Sequence, residues 1–294
     1  MDKKKSNPLA RFRGFIQAGA TLLTNIHLPN FAKGTLYQGN GKYVCVPGLN
    51  CYSCPGAAGA CPVGAFQAVV GSSKFRFSYY ITGILILFGV LLGRFICGFL
   101  CPFGWFQELL HKIPSPKLST KKLKPLRYLK YAVLLVMVVL LPLLAVNELG
   151  MGDPFFCKYL CPQGVLEGAL PLSLTNAGIR AALGKLFTWK ACILLAVIMG
   201  SVVFYRPFCK WLCPLGAFYA LLNKASLFQM RVDTHKCVSC GACARACKMD
   251  VDITKTPNHA ECIRCGMCMK ACPTDAIQYK FGLGDQSNTE TTKE

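Results

Sequence analysis

Two cysteine runs near the C-terminal end constrain this chain more than any other feature. Cys237-x2-Cys240-x2-Cys243-x3-Cys247 is followed by Cys262-x2-Cys265-x2-Cys268-x3-Cys272-Pro273. Three thiolates on one tight loop can reach three irons of an inorganic cube, and the fourth cysteine of each run ligates the other cube. Zinc motifs usually present ligands two plus two, whereas this pattern is three plus one, twice. The spacing therefore assigns one [4Fe-4S] cluster to Cys237, Cys240, Cys243 and Cys272. A second falls to Cys262, Cys265, Cys268 and Cys247. The two runs differ in one detail: Lys248 follows Cys247 where Pro273 follows Cys272.

Hydrophobic residues make up 53% of the chain and charged residues only 16%, yet the net charge is +20. A nucleic-acid binder spreads its basic residues over a soluble surface. Here many sit at the edges of apolar runs, which points to a membrane and away from nucleic acid. Three runs are uncharged or nearly so over the length a bilayer needs, at about 77–96, 127–147 and 186–205. A fourth, 14–32, lacks charge but carries Gln17, Thr21, Thr24, Asn25 and His27, and either spans or lies in the interface. Lysine and arginine counts set the orientation. Residues 1–13 carry five and 102–130 carry seven, whereas 147–188 carry three against Glu148, Asp153 and Glu167. Residues 1–13, 102–130 and the C-terminal region are thus expected on the cytoplasmic side, with 29–76 and 147–188 outside.

The unit Cys-Pro-x-Gly occurs four times, at Cys61, Cys101, Cys161 and Cys213. In the last three, another cysteine lies four residues earlier: Cys97, Cys157 and Cys209. Each unit opens an apolar, helix-like run, and proline suits the first helical position. The preceding cysteine then sits at a helix N-terminus, where the peptide dipoles favour a thiolate. Counting spans brings Cys97, Cys101, Cys209 and Cys213 to one membrane face, the number of thiolates one cluster needs. Cys157 and Cys161 fall on the opposite face with Cys45, Cys51, Cys54 and Cys61. Six thiols exceed the need of one cube. Either Cys157 and Cys161 join two of the N-terminal four, or those four hold a cluster alone. A disulfide or thiol-exchange pair, such as Cys51 and Cys54, is the alternative there. Cys192, alone inside an apolar run, is expected to be a buried small residue. Lys158, Lys210 and Lys248 each directly follow a cysteine, and a cation there should raise a cluster's potential.

At Cys97-Gly-Phe-Leu-Cys101-Pro, Cys209-Lys-Trp-Leu-Cys213-Pro and the doubled C-terminal run, the chain resembles the polyferredoxin-like 4Fe-4S binding membrane proteins related to NapH and NosR. The resemblance covers roughly residues 77–280. It implies electron transfer between a quinol or cytoplasmic donor and an extracytoplasmic acceptor. The chain departs from that pattern in its Cys157/Cys161 pair and N-terminal cysteine set, and it lacks the FMN-binding domain of the NosR type.

The expectation is thus a mainly α protein. Residues 1–231 would form a multi-pass bundle of three to four transmembrane helices in the cell membrane. Residues 232–280 would form a small α+β ferredoxin-like unit holding two [4Fe-4S] clusters, and 281–294 a disordered tail. One or two further clusters would sit in the membrane part. The chain would relay electrons towards an outer redox partner, plausibly a flavoprotein, as one component of an oxidoreductase system. The rival readings are a transmembrane thiol–disulfide conduit and an iron–sulfur sensor or assembly factor.

Overall fold

The computed structural model describes residues 8–72, 78–148 and 150–282. Two helical runs, Lys121–Leu144 and Lys185–Val203, are long and apolar enough to cross a membrane, and Tyr79–Leu92 is a shorter apolar helix. Only 22% and 17% of the most apolar stretch of the two long runs is buried. Leu87, Leu135, Leu195 and Met199 are more than half exposed. A soluble protein's core helix hides such residues, so these outward apolar faces are built for an apolar surrounding. Cys192 lies on the Lys185–Val203 helix and is exposed rather than buried, because it shares a face with the exposed Leu195 and Met199.

Residues 14–32 do not form one helix. Arg13–Thr24 is helical, the chain turns at Asn25, and a short helix Pro29–Lys33 follows. The polar residues of the stretch are taken up by protein. Gln17 donates to the Gly98 carbonyl at 2.9 Å and to Glu108 at 3.1 Å. The Thr24 carbonyl accepts from Ala58 N–H at 2.9 Å and from Asn50 Nδ2 at 3.2 Å, which ends the helix against the 50–58 loop. A 12-residue helix rises about 18 Å, short of the ~30 Å apolar layer.

Each Cys-Pro-x-Gly unit folds as its sequence suggests. Cys61, Cys101 and Cys213 are extended residues, and the helices Pro62–Gly71, Pro102–Leu110 and Pro214–Leu222 begin at the proline that follows. Cys161 is likewise extended before the helical turns of Gly164–Ala169. Proline contributes no N–H where a helix start would leave one unpaired.

The C-terminal unit is a two-stranded antiparallel sheet, Phe228–Val232 against Ile277–Phe281, with Met230 opposite Tyr279. Two short helices, Ala242–Ala246 and Met267–Ala271, complete it. The strand runs through Phe281, where the tail was expected to begin; residues 283–294 lie outside the described part. The halves repeat at a 25-residue offset down to the backbone. Ser239 and Arg264, Gly241 and Gly266, and Asp250 and Asp275 all have positive φ. These left-handed residues bend each cysteine loop back on itself, and glycine adopts that conformation without strain.

Candidate metal centres

None of the nineteen cysteines is paired in a disulfide. Eighteen belong to the runs and units above, and the fold gathers them into four neighbourhoods. In the C-terminal unit, Cys237, Cys240, Cys243 and Cys272 line one small cavity with Val232 and Ile277. Cys247, Cys262, Cys265 and Cys268 line another with Met230, Val251 and Ile263. Cys247 lies with the second run and Cys272 with the first. Burial pushes the Cys262 thiol up to about 12, and the Cys268 thiol up as well. Thiols so placed become ligands only if a metal compensates the thiolate charge.

The third set is deeper. Cys213 lies within electrostatic reach of Cys209, Cys97 and Cys101, and Cys101 within reach of Cys209 and Cys97. All four are buried. The fourth group brings Cys157 and Cys161 together with members of the N-terminal set. Cys161 is in reach of Cys157, Cys51 and Cys61. A cavity of about 1090 Å³ opens beside them, lined by Cys51, Cys61, Cys157 and Cys161 among others. Cys45 lines the same cavity, bridged through its backbone to Ala60 beside Cys61, and Cys54 is in reach of Cys51, its thiol facing the Asn25 side-chain oxygen at 3.4 Å. Among the described residues no three His, Cys, Asp or Glu side chains close on a single ion. A cube needs its four sulfurs spread around it rather than converged on one point.

The electrostatics around the third set were not legible in the sequence. Three acidic side chains each bridge two cations. Glu108 holds Arg13 and Arg206, Asp250 holds Arg127 and Lys210, and Glu261 holds Arg94 and Lys130. Arg94, Arg206 and Lys130 are fully buried, and Lys210 is nearly so. Each trio leaves one positive charge in excess. Uncompensated buried charge is costly, so a negative partner must lie nearby. Arg94 faces Cys97 and Cys209, and Arg206 faces Cys209 and Cys101. Arg94 Nε and Arg206 Nη2 have no hydrogen-bond partner among the described residues. Orphan donors and excess positive charge beside four thiols fit an anionic iron–sulfur cube. Arg206 holds a left-handed backbone, φ 50°, ahead of Pro207. That conformation costs a non-glycine residue roughly 1–3 kcal/mol and persists only where the surroundings impose it. Here the guanidinium is pinned by Glu108 and the Cys97 carbonyl.

Of the three lysines that follow cysteines, only Lys210 is buried beside its thiol, on Asp250 and the Lys248 carbonyl. Lys248 lies over the Tyr205 ring at 5.3 Å, and Lys158 pairs with Asp153 at the surface. The proline missing after Cys247 is thus replaced by a residue that fastens the C-terminal unit to the rest.

A scan of family profiles matches a 4Fe-4S binding domain at residues 59–80, 77–121, 131–170 and 187–234, more than half of the chain. The chain belongs to this 4Fe-4S binding domain family. A second 4Fe-4S binding domain profile matches 230–251 and 256–278. The family's cofactor is [4Fe-4S], and the chain is an iron–sulfur electron-transfer protein. It is 29% identical over 207 residues to an uncharacterised protein of Methanocaldococcus jannaschii, covering 69% of this chain and 79% of that one. It is 24% identical to the ferredoxin-type protein NapH of Haemophilus influenzae, covering 60% of this chain and 55% of NapH. To the regulatory protein NosR of Pseudomonas aeruginosa it is 28% identical, over 54% of this chain and 21% of NosR. The resemblance to the NapH and NosR group therefore stands, while the chain spans just over half of one and a fifth of the other. No solved structure matches.

Proposed function

We propose that the chain is a transmembrane electron wire of four [4Fe-4S] clusters. The cysteine sets are Cys237/Cys240/Cys243/Cys272, Cys247/Cys262/Cys265/Cys268, Cys97/Cys101/Cys209/Cys213 and Cys51/Cys61/Cys157/Cys161. When bound, the clusters supply one-electron transfer; the chain's task is to space them and tune them by burial, hydrogen bonds and charge.

The observation that carries this reading is the continuity between the sets. Ile263, beside Cys262, packs against Gly98, beside Cys97: a methyl group on Gly98 would lie 2.3 Å from the Ile263 carbonyl oxygen. Tyr219 is fully buried, donates to the Pro47 carbonyl at 3.0 Å, and faces Cys97 and Cys101 as well as Cys45 and Cys61. It thus bridges the third set to the fourth. Three apolar helices, Tyr79–Leu92, Lys121–Leu144 and Lys185–Val203, would carry this core through the bilayer. The C-terminal unit would lie in the cytoplasm, and the Cys51/Cys61/Cys157/Cys161 cluster towards the outside. A cytoplasmic donor or a quinol would load one end. An outer redox partner, a flavoprotein by its one-electron chemistry, would serve the other.

Replacing Cys157 and Cys161 together by serine tests the scheme. One cluster's iron and one EPR component should vanish from anaerobically purified protein, with the others kept. Unchanged iron and spectrum would remove the outer cluster and leave a wire that stops inside the membrane.

A further inference from the structure

The sixth residue after the motif cysteine repeats a role in all four Cys-Pro-x-Gly units. These residues are Gln67, Gln107, Glu167 and Tyr219. Each reaches out of its own helix to another segment. Glu167 accepts the Cys51 N–H at 3.0 Å, and Tyr219 donates to the Pro47 carbonyl at 3.0 Å. The two glutamines make the same bonds in two different places. Gln67 Oε1 accepts the Phe156 N–H at 2.9 Å, and its Nε2 lies 3.1 Å from the Cys157 sulfur. Gln107 Oε1 accepts the Phe208 N–H at 3.2 Å, and its Nε2 lies 3.2 Å from the Cys209 sulfur. The second amide hydrogen of each is spent on its own helix, at the Val63 and Phe103 carbonyls, both 3.3 Å away. Both side chains are fully buried.

This geometry fixes which end of each amide faces the sulfur. A backbone N–H can only donate, so the amide oxygen must face Phe156 or Phe208, and the NH2 group must face the thiol. A neutral thiol is a weak acceptor, whereas a cluster-bound thiolate is a strong one. Two fully buried amides that each commit an N–H to sulfur are suited to the second state.

We propose that Gln67 and Gln107 are matched positioning residues that set the reduction potentials of the two deep clusters, each through one N–H to a ligating sulfur of the opposite motif. This rests on the ligand sets proposed above. An N–H···S bond favours the more negative, reduced cluster and so raises its potential. The same glutamine orients its ligand by holding the N–H of the preceding residue.

The test uses the full chain, purified anaerobically, with EPR-monitored redox titration of Gln67→Leu, Gln107→Leu and the isosteric Gln67→Glu and Gln107→Glu. The glutamate variants keep the acceptor for the backbone N–H and lose the donor to sulfur. With iron content retained, each Gln107 variant should lower the midpoint of the Cys97/Cys101/Cys209/Cys213 cluster alone. Each Gln67 variant should lower only that of the Cys51/Cys61/Cys157/Cys161 cluster. A tenfold change in the one-electron reduction equilibrium reads as 59 mV. Full iron with unmoved midpoints, or an equal shift of all clusters, overturns the proposal. An unmutated readout covers variants that fail to fold: pulsed EPR of wild-type protein carrying 15N in its glutamine side chains should show 15N coupling on both deep clusters. Absence of that coupling overturns the role of the glutamines. A wild-type protein lacking the two deep clusters overturns instead the ligand sets on which it rests.

Discussion

Glu261 fastens the C-terminal unit to the apolar helices, and its replacement by glutamine should loosen that junction strongly. Its carboxylate lies 2.8 Å from Arg94 Nη1 and is paired as well with Lys130. The carboxylate is 5% exposed and both cations are fully buried. Glutamine keeps the size and one acceptor but strands two buried cations. Breaking a buried pair in this way costs about 3–5 kcal/mol. At 1.36 kcal/mol per tenfold, the population of the opened junction rises roughly 150- to 5,000-fold. Amide hydrogen exchange in a nanodisc reads this directly, because protection at the Glu261 and Cys262 N–H groups tracks local opening. Asp233→Asn removes the half-buried partner of the exposed Lys236 and serves as the control, since such surface pairs contribute little. A loss of protection below tenfold in Glu261→Gln, or one matched by Asp233→Asn, refutes the reasoning. The junction also has a defined pH window. Burial alone would raise the Glu261 pKa, but Arg94 and then Lys130 outweigh it and hold the carboxyl at about 2. A depressed carboxyl stabilises fully above its ordinary pKa of about 4.5 and loses that effect as pH falls towards 2. Glu261 should therefore contribute no pH dependence to junction protection between pH 5 and 8.

Further outcomes follow from the same geometry. Gly98→Ala should open the junction too, at about 1–3 kcal/mol, because the new methyl meets the Ile263 carbonyl oxygen at 2.3 Å; junction exchange unchanged from wild type would contradict that packing. Cys45→Ser and Cys54→Ser should each keep full iron, whereas Cys51→Ser should lose or convert one cluster, read by iron quantitation and EPR. Tyr219→Phe keeps the ring between the two deep sets and loses only the bond to Pro47, so electron transfer between those clusters in flash photoreduction should persist; Tyr219→Ala should slow it. Exposed on an apolar helix, Cys192 should resist a membrane-impermeant maleimide in intact vesicles and react once detergent is added.

The doubled cysteine run was legible because its ligands lie within a few residues of one another, and the crossed fourth cysteine follows from the repeat. The Cys97/Cys101/Cys209/Cys213 grouping was also within reach, since repetition and helix parity place matched pairs on one face. The proposed Cys51 assignment was not. Its position ten residues before Cys61 breaks the four-residue spacing of the other units, and the loop path that returns it depends on Glu167 and Asn50, whose partners are distant in sequence. Charge counting placed Lys130 among the loop cations of 102–130 and is blind to burial, whereas the fold buries Lys130, Arg206 and Lys210 on carboxylates. Such trios leave no local pattern, because Glu261 and Lys130 are 131 residues apart. Residues 14–32 stayed open between spanning and interfacial because hydropathy does not register that Gln17 and the Thr24 carbonyl meet protein groups.

Iron and acid-labile sulfide quantitation of anaerobically purified wild-type chain, combined with EPR redox titration, tests the wire most directly. Four clusters require about sixteen irons and as many sulfides per chain, with separable signals of which two shift in the deep-set cysteine variants. A preparation with about eight irons, or with zinc or disulfides at Cys97/Cys209 and Cys61/Cys157, would contradict it.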